Sequence, residues 1–107
     1  MEKNALEAKA ISAFENLTSA RNALFTAAEI TIMEKYLLEG QKADAITSGV
    51  IDGKNAEIRE SQLREHLQDQ FLKLASAENA ERKSRLDFDL ANIEADAVKI
   101  LLRIAEL

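Results

Sequence analysis

All three glycines of this 107-residue chain fall between residues 40 and 53, and the chain has no proline. On either side, Asn4 to Glu39 and Ala56 to Glu106 lack both residues that most readily end a helix. Both stretches are rich in Ala, Leu, Glu and Lys and carry apolar groups at helical spacing. The chain is predicted to be all-α: helix one over about 4–47 with a possible kink at Gly40, a turn over 48–55, and helix two over about 56–106. The second helix alone would span roughly 75 Å at 1.5 Å per residue. Thr31, between Ile30 and Ile32, lies in a β-branched run of low helix propensity, too short to outweigh some thirty good helix formers.

The apolar positions define what these helices pack against. In helix one, Leu6, Ala10, Ala13, Leu17, Ala20, Leu24 and Ala27 step alternately by four and three, a seam for a partner helix. In helix two the same step runs through Leu63, Leu67, Gln70, Leu74, Ala77, Glu81, Ser84, Phe88, Ala91, Ala95, Val98, Leu102 and Ala105. The natural solution is one domain, a long antiparallel hairpin of coiled-coil character. Polar members thin the seam around Ser76 to Arg85, which is either a solvated helix or the place where helix two breaks in two; the continuous helix is the expected form.

Each helix has apolar residues to spare. Phe14, Phe25, Ala28, Ile32 and Tyr36 cover a neighbouring face of helix one. In helix two a second seam runs through Leu86, Leu90, Ile93, Ala97, Ile100, Ile104 and Leu107. A hairpin buries one seam per helix and leaves this one in water, where a long apolar stripe marks an interaction site. The expected remedy is a homodimer forming a four-helix bundle, with Leu86, Leu90, Ile93, Ala97, Ile100 and Ile104 as the self-association seam.

Around the glycines, Ser48 to Gly53 predicts a helix stop with Gly49 in the left-handed conformation, then a tight connection through Asp52 and Gly53. Either Asp52 or Asn55 would cap helix two, and Val50 and Ile51 would form an apolar plug beneath the turn. Gly49, Asp52, Gly53 and Asn55 are thus read as structural residues of the turn.

Little in the sequence suggests chemistry. Without cysteine there is no disulfide framework, zinc finger, iron–sulfur site or cysteine nucleophile, and His66 is the only histidine. The carboxylates Asp87, Asp89, Glu94 and Asp96 lack the glycine and terminal bidentate acid of a calcium loop and read as a solvated helix face. His66 could be a pH-sensitive surface group or a half-buried polar contact; no orienting acid and nucleophile accompany it, and Glu65 points to another face. The expectation is a protein with no catalytic residues, no metal and no cofactor. Arg82, Lys83 and Arg85 form the most basic stretch and are the candidate phosphate contacts. Glu78, Glu81, Asp87 and Asp89 surround them, and 19 acidic against 14 basic side chains give a net charge of −5. Neither nucleic acid nor a membrane is therefore an expected partner. Met1-Glu2-Lys3-Asn4 leads directly into an amphipathic stretch without the apolar core of a signal peptide, so a cytoplasmic location is expected.

The segment Gly49-Val50-Ile51-Asp52-Gly53-Lys54-Asn55-Ala56-Glu57-Ile58-Arg59, followed by Gln62-Leu63, resembles a turn and helix start found in small α-helical proteins encoded by bacteriophages and prophages. The resemblance implies a mobile-element origin and assigns no activity. In the residues themselves, Glu57 and Glu60 lie near the positive end of helix two, and Arg59 could fold back onto carbonyls at the end of helix one. These features predict a non-enzymatic module that binds itself and an unidentified protein. The alternative is a phage accessory protein, an inhibitor among the options, working beside nucleic-acid recombination or host-defence machinery through Arg82 to Arg85. A DNA-mimicking inhibitor would need a more one-sided acidic surface.

Overall fold

The computed structural model describes residues 3–107. Met1 and Glu2, the first half of the segment read as lacking a leader, lie outside the described residues. Three helices are present, α1 (Lys3–Thr47), α2 (Ala56–His66) and α3 (Gln68–Glu106), and the described residues contain no strand. The protein is an all-α antiparallel helical hairpin. Its packing falls into two compact units: one pairs residues up to Thr26 with Glu81–Leu107, the other comprises Ala27–Ala80.

In the first unit the core is small. Ala10, Ala13, Ala95 and Val98 are buried together, and half-buried Leu17 and Leu102 pack against them. Alanines let two helix backbones approach closely, so this unit gains little from each side chain and depends on a tight, unobstructed fit. In the second unit Leu38, Ala45, Ile51, Leu63 and Leu67 form a larger-residue cluster, with Phe71 and Leu74 packed against it. The Phe71 ring also carries two cations, the Lys42 ammonium 5.4 Å and the Arg64 guanidinium 5.1 Å from its centroid.

Gly40 neither kinks nor ends α1, which runs unbroken through it. The second half of the chain departs from the expected single helix. It is continuous through Ser76–Arg85 and interrupted at Leu67, where φ is −109° and ψ 26°. No glycine or proline marks the place. Leu67 is buried in the second unit's core, and its backbone still donates to Leu63 O (2.8 Å) and accepts from Phe71 N (3.0 Å). The interruption thus costs little hydrogen bonding, and nothing in the local sequence explains it.

The turn is built from several independent pieces. Gly49 has φ +81°, and its N–H donates to Ile46 O at 3.2 Å while Ile51 N–H reaches Ala45 O at 3.3 Å, satisfying carbonyls that the helix end leaves open. Asn55, in extended backbone, caps α2 by accepting from Ile58 N at 2.9 Å. Asp52 is instead held by Gln62, whose Oε1 accepts from the Asp52 and Gly53 N–H groups (3.2 and 2.9 Å) and whose Nε2 donates to Asp52 Oδ1 (3.0 Å). Arg59 Nη1 donates to Gly53 O at 3.1 Å, within the connection, rather than to the end of helix one. The apolar plug is Ile51 alone, because Val50 is half exposed.

These details separate the three glycines energetically. A Cβ on Gly40 would meet nothing within 4 Å, so Gly40→Ala is expected to stabilise by up to about 1 kcal/mol through helix propensity. Gly49→Ala keeps the open space but places Cβ in the left-handed region, at a cost of about 1–2 kcal/mol. At Gly53 the obstacle is steric: a Cβ there would stand 2.6 Å from Ile58 Cγ2 and 3.0 Å from the Arg59 backbone nitrogen. Gly53→Ala should cost about 1–3 kcal/mol. Thermal melts of the three variants followed by circular dichroism check the order; a melting point for Gly40→Ala below that for Gly49→Ala would contradict it.

Candidate interaction surface

The inner and outer faces of α3 follow from one geometric fact: residues two apart on a helix are rotated by 200°, so a stripe offset by two from the buried seam lies opposite it. Phe88, Ala91, Ala95, Val98 and Leu102 are buried or half-buried. Leu86, Leu90, Ile93, Ala97, Ile100 and Ile104 face outward. The large members are well exposed, from 55% for Ile100 to 66% for Ile93. With Leu107 the stripe runs 22 residues, about 32 Å along the helix. It lies entirely within the first compact unit.

Charge flanks this stripe asymmetrically. Asp89 and Asp96 lie along one edge with Arg103, while Asp87 and Glu94 lie along the other with Leu101, each set spaced by seven. Asp96 makes an exposed 3.7 Å contact with Lys99. Such a pair is weak and easily exchanged. The Lys99 ammonium stands 5.4 Å from the centroid of the Phe14 ring.

The other predicted residues separate into different places. The extra apolar face of helix one is largely in water, with Phe25 and Tyr36 prominent, whereas Ala28 is half-buried. Ile32, Lys35, Tyr36 and Glu39 outline a shallow apolar depression of about 310 Å³. Arg82, Lys83 and Arg85 are all exposed, and Arg85 Nη2 is 3.3 Å from Glu81 Oε2. That ion pair diminishes the cationic field expected of a phosphate contact. His66 is exposed at the end of α2 and lines two open depressions, one with Val50, Ile51, Gln62 and Glu65. Asp87, Asp89, Glu94 and Asp96 are exposed along α3. Among the described residues no group of three or more His, Asp or Glu side chains is placed to hold a metal ion. No helix among them is long and apolar enough to cross a membrane.

Two polar arrangements were missed by the sequence reading. Gln70 is buried, and its Nε2 donates to Glu34 O at 3.2 Å and to Glu34 Oε2 at 2.6 Å. Thr31, also buried, donates through Oγ1 to Ala27 O at 3.2 Å. Continuing the four-three step of helix one beyond Ala27 gives Thr31, Glu34, Leu38 and then Ala45 after a further heptad. The signal was present and was obscured by its polar members.

No protein-family model matches the chain, and no curated protein or solved structure does either. Fold and surface together define an all-α hairpin with one seam closed and an opposite stripe open.

Proposed function

We propose that this protein is a non-enzymatic helical interaction module that self-associates through the outer stripe of α3. The supporting observation is the stripe itself: large aliphatic side chains in strict four-three spacing, each more than half exposed, on a helix whose inner seam is already used. Burying the remainder of each side chain in a dimer is worth about 1 kcal/mol. Because the stripe lies opposite the buried seam, association brings α3 against α3 and leaves the α1 segment of that unit on the outside. The four helices then stand side by side, with the apolar face of α1 free for another protein. We further infer a protein of phage or mobile-element origin, on the resemblance of the Gly49 to Leu63 segment.

Sedimentation equilibrium tests the reading. The native chain should be dimeric at micromolar concentration, and the Ile93→Asp/Ile100→Asp variant should be a monomer of unchanged helical circular dichroism. Two charges within the stripe would cost several kcal/mol in an interface and little in water. A native chain that sediments as a monomer at high micromolar concentration overturns the reading.

A further inference from the structure

We infer that two copies of this chain meet antiparallel along α3, in the register that sets Ala97 against Ile100 of the second copy. The inference rests on the self-association reading and adds orientation and register to it. In an antiparallel coiled coil the alternating seam positions pair with one another. Taking Ala97 with Ile100 as the central layer places Ile93 against Ile104 and Leu90 against Leu107. The two-fold axis repeats each pair, so six layers use the apolar stripe to its carboxyl-terminal end.

The flanking charges select this alignment. It brings Asp96 beside Arg103 of the second copy twice, by symmetry, and Glu94 beside Leu101, with no like charges facing. Arg103 makes no ion pair within its own chain among the described residues, and the Asp96 contact with Lys99 is exposed and long. Sliding one copy by a heptad, so that Ile93 meets Ala97, exchanges the Asp96 and Arg103 pairs for Asp89 and Arg103 pairs but adds like charges, Asp96 against Asp96 and Glu94 against Glu94. A parallel pair sets Asp89 beside Glu94 twice, by symmetry, along the stripe, and one turn before the stripe it sets Lys83 against Lys83, where Arg82 comes beside Asp87. Like charges at these flanks disfavour both alternatives.

The chain has no cysteine, so Arg85→Cys provides a single spin-labelling position on an exposed face. In the proposed register two labels lie 27 residues apart along the paired helices, about 40 Å at 1.5 Å per residue. In a parallel pair they lie at about the interhelical spacing, some 10–20 Å with the label arms. Pulsed electron spin resonance on the labelled dimer should return the longer distance. Arg103→Glu should weaken dimerisation on the order of tenfold, and adding Asp96→Arg should restore it.

A dimer with the short separation overturns the antiparallel arrangement and leaves self-association standing. A long separation in which Asp96→Arg fails to rescue Arg103→Glu overturns the register. A labelled chain that remains monomeric at high micromolar concentration, as does the unlabelled native chain, overturns the inference together with the reading beneath it.

Discussion

Leu38→Ala is expected to destabilise the protein by about 2–5 kcal/mol, while Leu37→Ala, one residue away, should cost less than about 1 kcal/mol. Leu38 is 4% exposed and sits with Ala45, Ile51, Leu63 and Leu67 at the centre of the second unit. Its truncation removes the transfer free energy of the isobutyl group and leaves a cavity between α1 and the segments around Leu67 that helix backbones cannot fully close. Leu37 is 51% exposed and points away from that cluster. Urea denaturation followed by circular dichroism measures the difference. Amide exchange over Ala27–Ala80 then locates it, because the loss should appear first within this unit. Equal destabilisation by the two variants would mean that the seam is not where the burial pattern puts it.

Ala95→Asp should be at least as damaging, at about 3–5 kcal/mol, the cost of a buried charge without a partner. Ala95 is 1% exposed and in the first unit's core with Ala10, Ala13 and Val98, none of which can hydrogen-bond a carboxylate through its side chain. At 1% exposure the Ala95 position itself leaves a carboxylate almost no contact with water. Ala97→Asp, two residues on, makes the same chemical change on the opposite face. It should fold with near-native stability and lose dimerisation instead. The pair therefore distinguishes the inner and outer faces of α3 by different readouts, helix content for one and sedimentation for the other. If Ala95→Asp retained native melting behaviour, the alanine core of the first unit would not be closed.

The Gln70 and Glu34 pair suggests a subtler balance. A buried side-chain amide bonded to a carboxylate contributes little net stability but is costly to leave half made. Such a pair in a hairpin seam can act as a register pin. Gln70→Leu should cost about 1–3 kcal/mol. Gln70→Leu with Glu34→Leu should recover most of that loss, because no polar group is then stranded. A double-mutant cycle in thermal melts checks the coupling, and additive losses would show that the contact is energetically idle.

The parts of this structure that depend on near neighbours could be read from the chain directly. The extent of helix one follows from good helix formers with no Pro, the Gly49 stop and a cap at Asp52 or Asn55 from turn chemistry a few residues long, and the inner seam from a four-three repeat. Each is an interaction among residues close in sequence or a periodicity imposed by the helix itself. Tertiary structure decided the rest. It placed the interruption at Leu67, where no breaker stands. It made Gly53 a steric necessity through Ile58 and Arg59, and turned Gln62 into a clamp on Asp52. It also supplied the partner that the inner stripe of α3 fits: Ala95 and Val98 pack with Ala10 and Ala13, whereas Ile93 and Ile100 are exposed. Periodicity shows how many faces a helix needs to cover, but the choice among them rests on the shape and volume of residues some eighty positions distant, which no local pattern contains.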